Sequence, residues 1–179
     1  MDQQKILLSH SGSSNPGFYL ELCQEASKHA CTIIKSHLTS HTPSCSFYTY
    51  IQGPWDGIAK IEAFVENYQK AHPNHYTQLE RLKPASNTQA SPHLAYQIEI
   101  TGISNAHNLS HVSVFCNQHE LTLLGIHSSQ YQSSVTGDNM QQIRLEIAMD
   151  FDANLAEFRE QLLLMCDSYN LDVVIEPMR

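Results

Sequence analysis

Residues 5–17 read Lys-Ile-Leu-Leu-Ser-His-Ser-Gly-Ser-Ser-Asn-Pro-Gly. The apolar run predicts a strand and the Gly, Ser and Asn that follow predict a turn. Pro16 then falls at the first position of a helix, with Asn15 as its N-cap. This is a strand-loop-helix junction. Ninety positions on, Gly102-Ile103-Ser104-Asn105 follows the alternating strand 96–101 and echoes Gly12-Ser13-Ser14-Asn15. The chain reads as one unit written twice.

Outward from the first junction, Phe18, Leu22, Ala26 and Ala30 recur at steps of four, and Tyr19 and Cys23 widen the stripe, so a helix with one buried face follows. Residues 31–41 are strand-like, with Thr32 and Ile34 on one side and Ile33 on the other. Thr42-Pro43-Ser44 makes a turn, and 46–52 returns as a hairpin partner. Gly53-Pro54 opens a second helix carrying Ile58, Ile61, Val65 and Tyr68, which His72-Pro73-Asn74 ends. A fourth strand spans 75–82. Residues 83–92, with Pro near both ends and no apolar period, read as a linker. The second half repeats the order: a strand at 93–101, a helix at 106–119 with Leu109, Val112 and Cys116 inward, and a strand at 121–130. A longer hairpin tip at 133–139 leads to a strand at 142–149, a helix carrying Leu155, Phe158, Leu162 and Met165, and a strand at 171–176.

The expected class is therefore α+β, with two ferredoxin-like βαββαβ domains at 1–82 and 93–179. Each is a four-stranded antiparallel sheet with two helices on one face. Such a sheet leaves its edges unpaired, so the two copies are expected to join side by side into eight strands, face-to-face stacking being the alternative. The length of 179 residues suits two small domains. Ten Lys and Arg against 18 Asp and Glu give a net charge of −8, which repels a phosphate backbone, so no direct nucleic-acid contact is expected. The five cysteines at 23, 31, 45, 116 and 166 form no Cys-x-x-Cys pair and read as the reduced thiols of a cytoplasmic protein. The first residues carry no basic region before a hydrophobic core, and no run approaches the ~20 apolar residues of a membrane span.

For chemistry, the first loop precedes a helix whose leading N–H groups suit an anion. A P-loop needs Lys followed by Ser or Thr after its second Gly, and Phe18-Tyr19 stands there instead. A small carboxylate fits better: the N–H groups hold the carboxylate of an amino acid, and Ser11, Ser13, Ser14 or Asn15 with carbonyls receive its ammonium. The plainer alternative is that Asn15, Pro16 and Gly17 only cap the helix and turn the chain. His29 with His119, and His37 with His127, occupy equivalent positions, and His37-x-x-x-His41 and His72-x-x-His75 add pairs. No acid accompanies those pairs at ligand spacing, so neither a metal nor a cofactor is expected. No nucleophile elbow or paired acids announce catalysis, and Asp150 and Asp152 read as the start of a helix. Trp55, Tyr48 and Tyr50 suit a partner surface, while Phe47 and Tyr68 suit the core.

The strand, the Asn15-Pro16-Gly17 turn, the amphipathic helix and the Cys31-Thr32-Ile33-Ile34 strand start together resemble an ACT domain, a small amino-acid-sensing module. Both copies, the linker and the Gly53-Pro54-Trp55-Asp56 helix entry resemble the glycine cleavage system transcriptional repressor family. The resemblance implies no catalysis and control by protein contact, with a DNA-binding transcriptional activator as partner, glycine as the opposing ligand and a homodimer as one further assembly. It places the ligand where the first loop of one domain meets the start of the second strand of its neighbour. That transfers to Ser13, Ser14, Asn15 and Gly17 with Thr32 in the first copy, and to Ile103, Ser104, Asn105 and His107 with Thr122 in the second. Ala106-His107 replaces Pro-Gly in the second copy, so one good site lined mainly by the first loop is expected.

Overall fold

A computed structural model describes residues 3–13, 17–83, 93–150 and 153–178. The chain divides into two units, Met1–Thr88 and Gln89–Arg179, each described by itself. In unit 1 the order is β1 (Gln3–Ser13), α1 (Gly17–Lys28), β2 (Thr32–His41), β3 (Ser44–Pro54), α2 (Trp55–Ala71) and β4 (Tyr76–Leu82). Unit 2 repeats it with β5 (His93–Ile103), α3 (Asn108–Gln118), β6 (Thr122–Gln132), β7 (Asn139–Asp150), α4 (Leu155–Ser168) and β8 (Leu171–Pro177). The antiparallel sheets run β2-β3-β1-β4 and β6-β7-β5-β8. This is the βαββαβ arrangement twice over, ACT-like in each copy.

Alternation along the central strands explains the layering. Ile6 and Leu8 of β1 and Phe47 and Ile51 of β3 share the face that receives Phe18, Leu22 and Ala26 of α1 and Ile58, Ile61 and Val65 of α2. In unit 2, Ile98, Ile100, Ile143, Leu145 and Ile147 meet Val112, Phe115, Phe158 and Leu162. Burying a side chain of this size is worth about 1.5–3 kcal/mol. All five cysteines are free. Burial pushes the thiols of Cys31 and Cys116 up, and takes Cys166 to about 11.

Four local expectations need correction. The first strand is longer than its apolar run, since pairing with β3 continues from Gln3 to Ser13. Ala30 lies beyond α1 with φ 53°: Cys31 N–H donates to Ala26 O (2.8 Å) and Ala30 N–H to Ser27 O (3.3 Å), the Schellman closure of a helix. Glu120 repeats it with φ 49°, through Leu121 N–H to Cys116 O (3.1 Å) and Glu120 N–H to Asn117 O (3.2 Å). Helix α3 starts at Asn108, two residues later than its apolar spacing suggests, so Asn108, Val112 and Phe115 face inward and Leu109 is turned out. The cap of α4 is Asn154, whose Oδ1 accepts from Glu157 N–H at 3.2 Å; Asp150 ends β7, and Asp152 lies outside the described residues. The interdomain stretch 84–92 also lies outside them.

A one-residue bulge sits in β2 between Ile33 and Lys35 and in β6 between Leu123 and Gly125. It puts the extra residue, Ile34 or Leu124, out of register with β3 or β7. The strict alternation read for Thr32, Ile33 and Ile34 stops there.

An alanine in the left-handed region carries a steric cost that glycine avoids. Ala30→Gly should raise the unfolding free energy of unit 1 by about 1 kcal/mol, read by urea titration, and Glu120→Gly should act likewise on unit 2. Destabilisation by both changes would contradict the helix endings described.

Candidate functional site

Ser13 and Gly17, on either side of the β1–α1 junction, line a cavity of about 220 Å³ in unit 1 together with Phe18, Glu21, Tyr68, His72 and His75. Ser13 ends β1, and Gly17, Phe18 and Glu21 occupy the first turn and a half of α1. Tyr68 comes from the last turn of α2, His72 is its C-cap, and His75 stands just before β4.

The polar side chains are tied to one another. His75 Nδ1 is 3.0 Å from the Tyr68 hydroxyl and its Nε2 is 3.4 Å from Ser13 Oγ. Gln69 donates to the carbonyl of His75, and His72 Nδ1 donates to the carbonyl of Tyr68 at 3.1 Å. The Tyr68 ring stacks between Phe18 at 3.7 Å and His72 at 4.1 Å. Behind this wall sits His10, 6% exposed, bonded through Nδ1 to Thr77 Oγ1 at 3.1 Å and stacked on Phe47. Its imidazole is pushed down to about 4, first by burial and then by the neighbouring His75 and His72. Burial and the charge of Glu21 push the Tyr68 phenol up. Gly12 makes the cluster fit, because a Cβ there would lie 2.7 Å from His75 Nδ1.

The second copy replaces the inner part of this set with hydrocarbon, while His111 and Tyr169, at the positions matching Glu21 and His72, stack on each other at 3.6 Å. His10 pairs with Phe47 and Thr77, whereas Ile100 at the matching ladder position pairs with Ile143 and Val173. Leu171 packs on Gly102 as His75 does on Gly12. The loop of unit 2 bonds to itself and to its neighbours. Asn108 is 4% exposed and donates to Ile103 O at 2.9 Å, His107 N–H donates to Asn105 Oδ1 at 2.9 Å, and Ser104 N–H donates to Asn139 O at 2.7 Å.

The structure thus brings Ser13 and Gly17 together at one cavity, and Ile103, Ser104, Asn105 and His107 together in one loop. Ser14 and Asn15 lie outside the described residues. Thr32 and Thr122 stand apart from the loops of their own units. Thr32 pairs with Gln52, which pairs with Lys5, eight residues down β1 from Ser13, or about 27 Å at strand rise. Thr122 is placed equivalently through Ala148 and Ala95, and borders a separate cavity of about 160 Å³ with His119, Glu120 and Ala148. Sequence reasoning missed His10, Glu21, Tyr68 and His75 as site residues. The pair His72-x-x-His75 was visible only as a metal motif. Among the described residues no group of three His, Cys, Asp or Glu is arranged to hold a metal ion.

The folded class is a tandem pair of ACT-like units. No family model matches the chain, and no curated protein matches it. Among solved structures, a protein of unknown function from Galdieria sulphuraria is similar over 99% of this chain and 100% of its own, with a TM-score of 0.73 and 11% identity. A protein provisionally named a glycine cleavage system transcriptional repressor is similar over 100% of this chain and 99% of its own, with a TM-score of 0.65 and 16% identity. An ACT domain protein from Streptococcus pneumoniae covers 48% of this chain and 91% of its own at 14% identity, with a TM-score of 0.39, too low to carry weight. At these identities the likeness is one of fold. Among the described residues no helix is long and apolar enough to cross a membrane.

His10 takes up its proton at about 4 in the folded unit, against 6.5 for an ordinary imidazole. Between those values the unfolded chain binds more protons, so unit 1 loses stability as pH falls from 6.5 to 4. Urea midpoints at pH 7 and pH 5 should show this loss. The double change His10→Ile and Thr77→Val, copying Ile100 and Val173, should shrink it; an undiminished slope would place its source elsewhere.

Proposed function

We propose that the chain is a non-enzymatic regulator that senses a small amino acid, such as glycine, and passes the change to a protein partner. The observation that carries this reading is the polar cavity beside Ser13 and Gly17 of an ACT-like fold; at the positions matching Glu21 and His72 the second copy instead holds His111 and Tyr169, stacked on each other at 3.6 Å. A site for a small zwitterion needs both donors and acceptors in a space of this size, and Ser13, Glu21, Tyr68, His72 and His75 supply them. The loop of the second copy, with Asn105, Asn108 and Ser104 bonded locally, suits a structural role instead.

Ser13, Ser14, Asn15 and Gly17 are the first-loop contacts in this proposal. Thr32 and Thr122, at the far ends of their own sheets, belong to the site only if they meet another loop. The partner in this proposal, carried over from the resemblance to the glycine cleavage repressor family, is a DNA-binding transcriptional activator in the cytoplasm; the net charge of −8, which disfavours a direct grip on DNA, agrees with control by protein contact. Ligand binding shifts such a contact only by preferring one arrangement of the protein, and a preference of about 1–3 kcal/mol is typical.

Calorimetry with glycine, alanine and L-serine tests the sensing step. Binding should give a thermal shift that grows with ligand, equivalent to about 2.7 kcal/mol at a hundredfold excess over Kd. Ser13→Ala should weaken it by roughly 3- to 10-fold, the worth of one neutral hydrogen bond. Thr32→Ala and Thr122→Ala report whether those positions take part. Absence of heat and of thermal shift at millimolar ligand would count against sensing.

A further inference from the structure

The cavity of unit 1 is rich in acceptors. A carbonyl oxygen only accepts, so the 3.1 Å contact from His72 Nδ1 to Tyr68 O places the ring proton on Nδ1. In neutral His72, Nε2 then holds a lone pair and cannot donate. Stacking on Tyr68 at 4.1 Å fixes the plane of the ring. Across the same cavity Glu21 projects from α1, close enough for its charge to act on the Tyr68 phenol. Among the described residues Glu21 makes no ion pair, and Lys70, at the end of α2, is engaged by Glu66 at 2.8 Å. A carboxylate with no cation partner among the described residues, sharing one cavity with the His72 ring and the Ser13 hydroxyl, suits a donor with several N–H bonds and a positive charge.

Resting on the amino-acid reading of this cavity, we propose that its recognition element for the ligand is the amino group, held as an ammonium by Glu21, by Nε2 of neutral His72 and by the Ser13 hydroxyl. The selected class is primary α-amino compounds.

The experiment is calorimetry with glycine, L-serine and N,N,N-trimethylglycine, which keeps the positive charge but has no N–H. The wild-type protein should bind the trimethyl compound at least tenfold more weakly than glycine, as expected for loss of a charge-assisted hydrogen bond. Glu21→Gln should weaken glycine binding tenfold or more. His72→Gln, which offers an amide oxygen near the lost Nε2, should keep binding, whereas His72→Leu, which offers no acceptor, should weaken it. Both side chains are exposed, and circular dichroism confirms that the variants fold. Unchanged binding by Glu21→Gln, or equal binding of the trimethyl compound, would overturn the ammonium assignment and leave amino-acid sensing standing. No binding of any probe would overturn both.

Discussion

In both units a glycine near the end of the first strand lies against the residue that leads into the last strand. One residue before the end of β1, Gly12 brings its backbone against the His75 ring, and a Cβ there would lie 2.7 Å from Nδ1. In unit 2 a Cβ on Gly102 would lie 2.5 Å from a methyl of Leu171. The strand that leads toward the first helix thereby lies against the entry of the last strand, and the start of the first helix and the end of the second meet beside it. In unit 1 that convergence leaves a cavity edged by polar groups. In unit 2 it brings Leu171 onto Gly102 and the His111 ring onto Tyr169.

The contact also explains why a buried imidazole is tolerated. His10 lies among Phe18, Phe47 and Tyr68 with Thr77 as its hydrogen-bond partner. Its neutral form is satisfied there and its charged form is penalised. Neutral His10 then backs a wall whose outer members, His75 and His72, meet solvent through the cavity. The arrangement is a graded one, from apolar core to buried neutral ring to exposed polar rim.

Most of the fold was legible because the period of the hydrophobic residues and the turn chemistry agreed. The run Ile58, Ile61, Val65 and its counterpart Phe158, Leu162 needed no tertiary context to be placed inward. The misreadings came where a local hydrogen bond overrode the period. Asn108 is polar, yet it is buried because its amide satisfies Ile103 O, and that bond starts α3 late and turns Leu109 outward. Ala30 continues the apolar stripe of α1 by spacing, but the backbone has already left the helix. The site was less legible than the fold. Ser13 and Gly17 are local to the loop motif, whereas His72 and His75 reach it from some sixty residues away, through the pairing of β4 with β1 that places Thr77 beside His10. No spacing rule within one segment reports that juxtaposition.

The two units share backbone devices more faithfully than side-chain chemistry. Each has a bulge one residue long at the same place in its second strand, a left-handed residue after its first helix and a glycine under its last strand. These devices recur although the side chains around them differ, as at His10 and Ile100 or Thr77 and Val173. Were the copies separate but identical chains in a symmetric pair, every mutation in one loop would appear in both. Covalent linkage removes that coupling, so either half can exchange a polar residue for an apolar one without imposing the same change on the other.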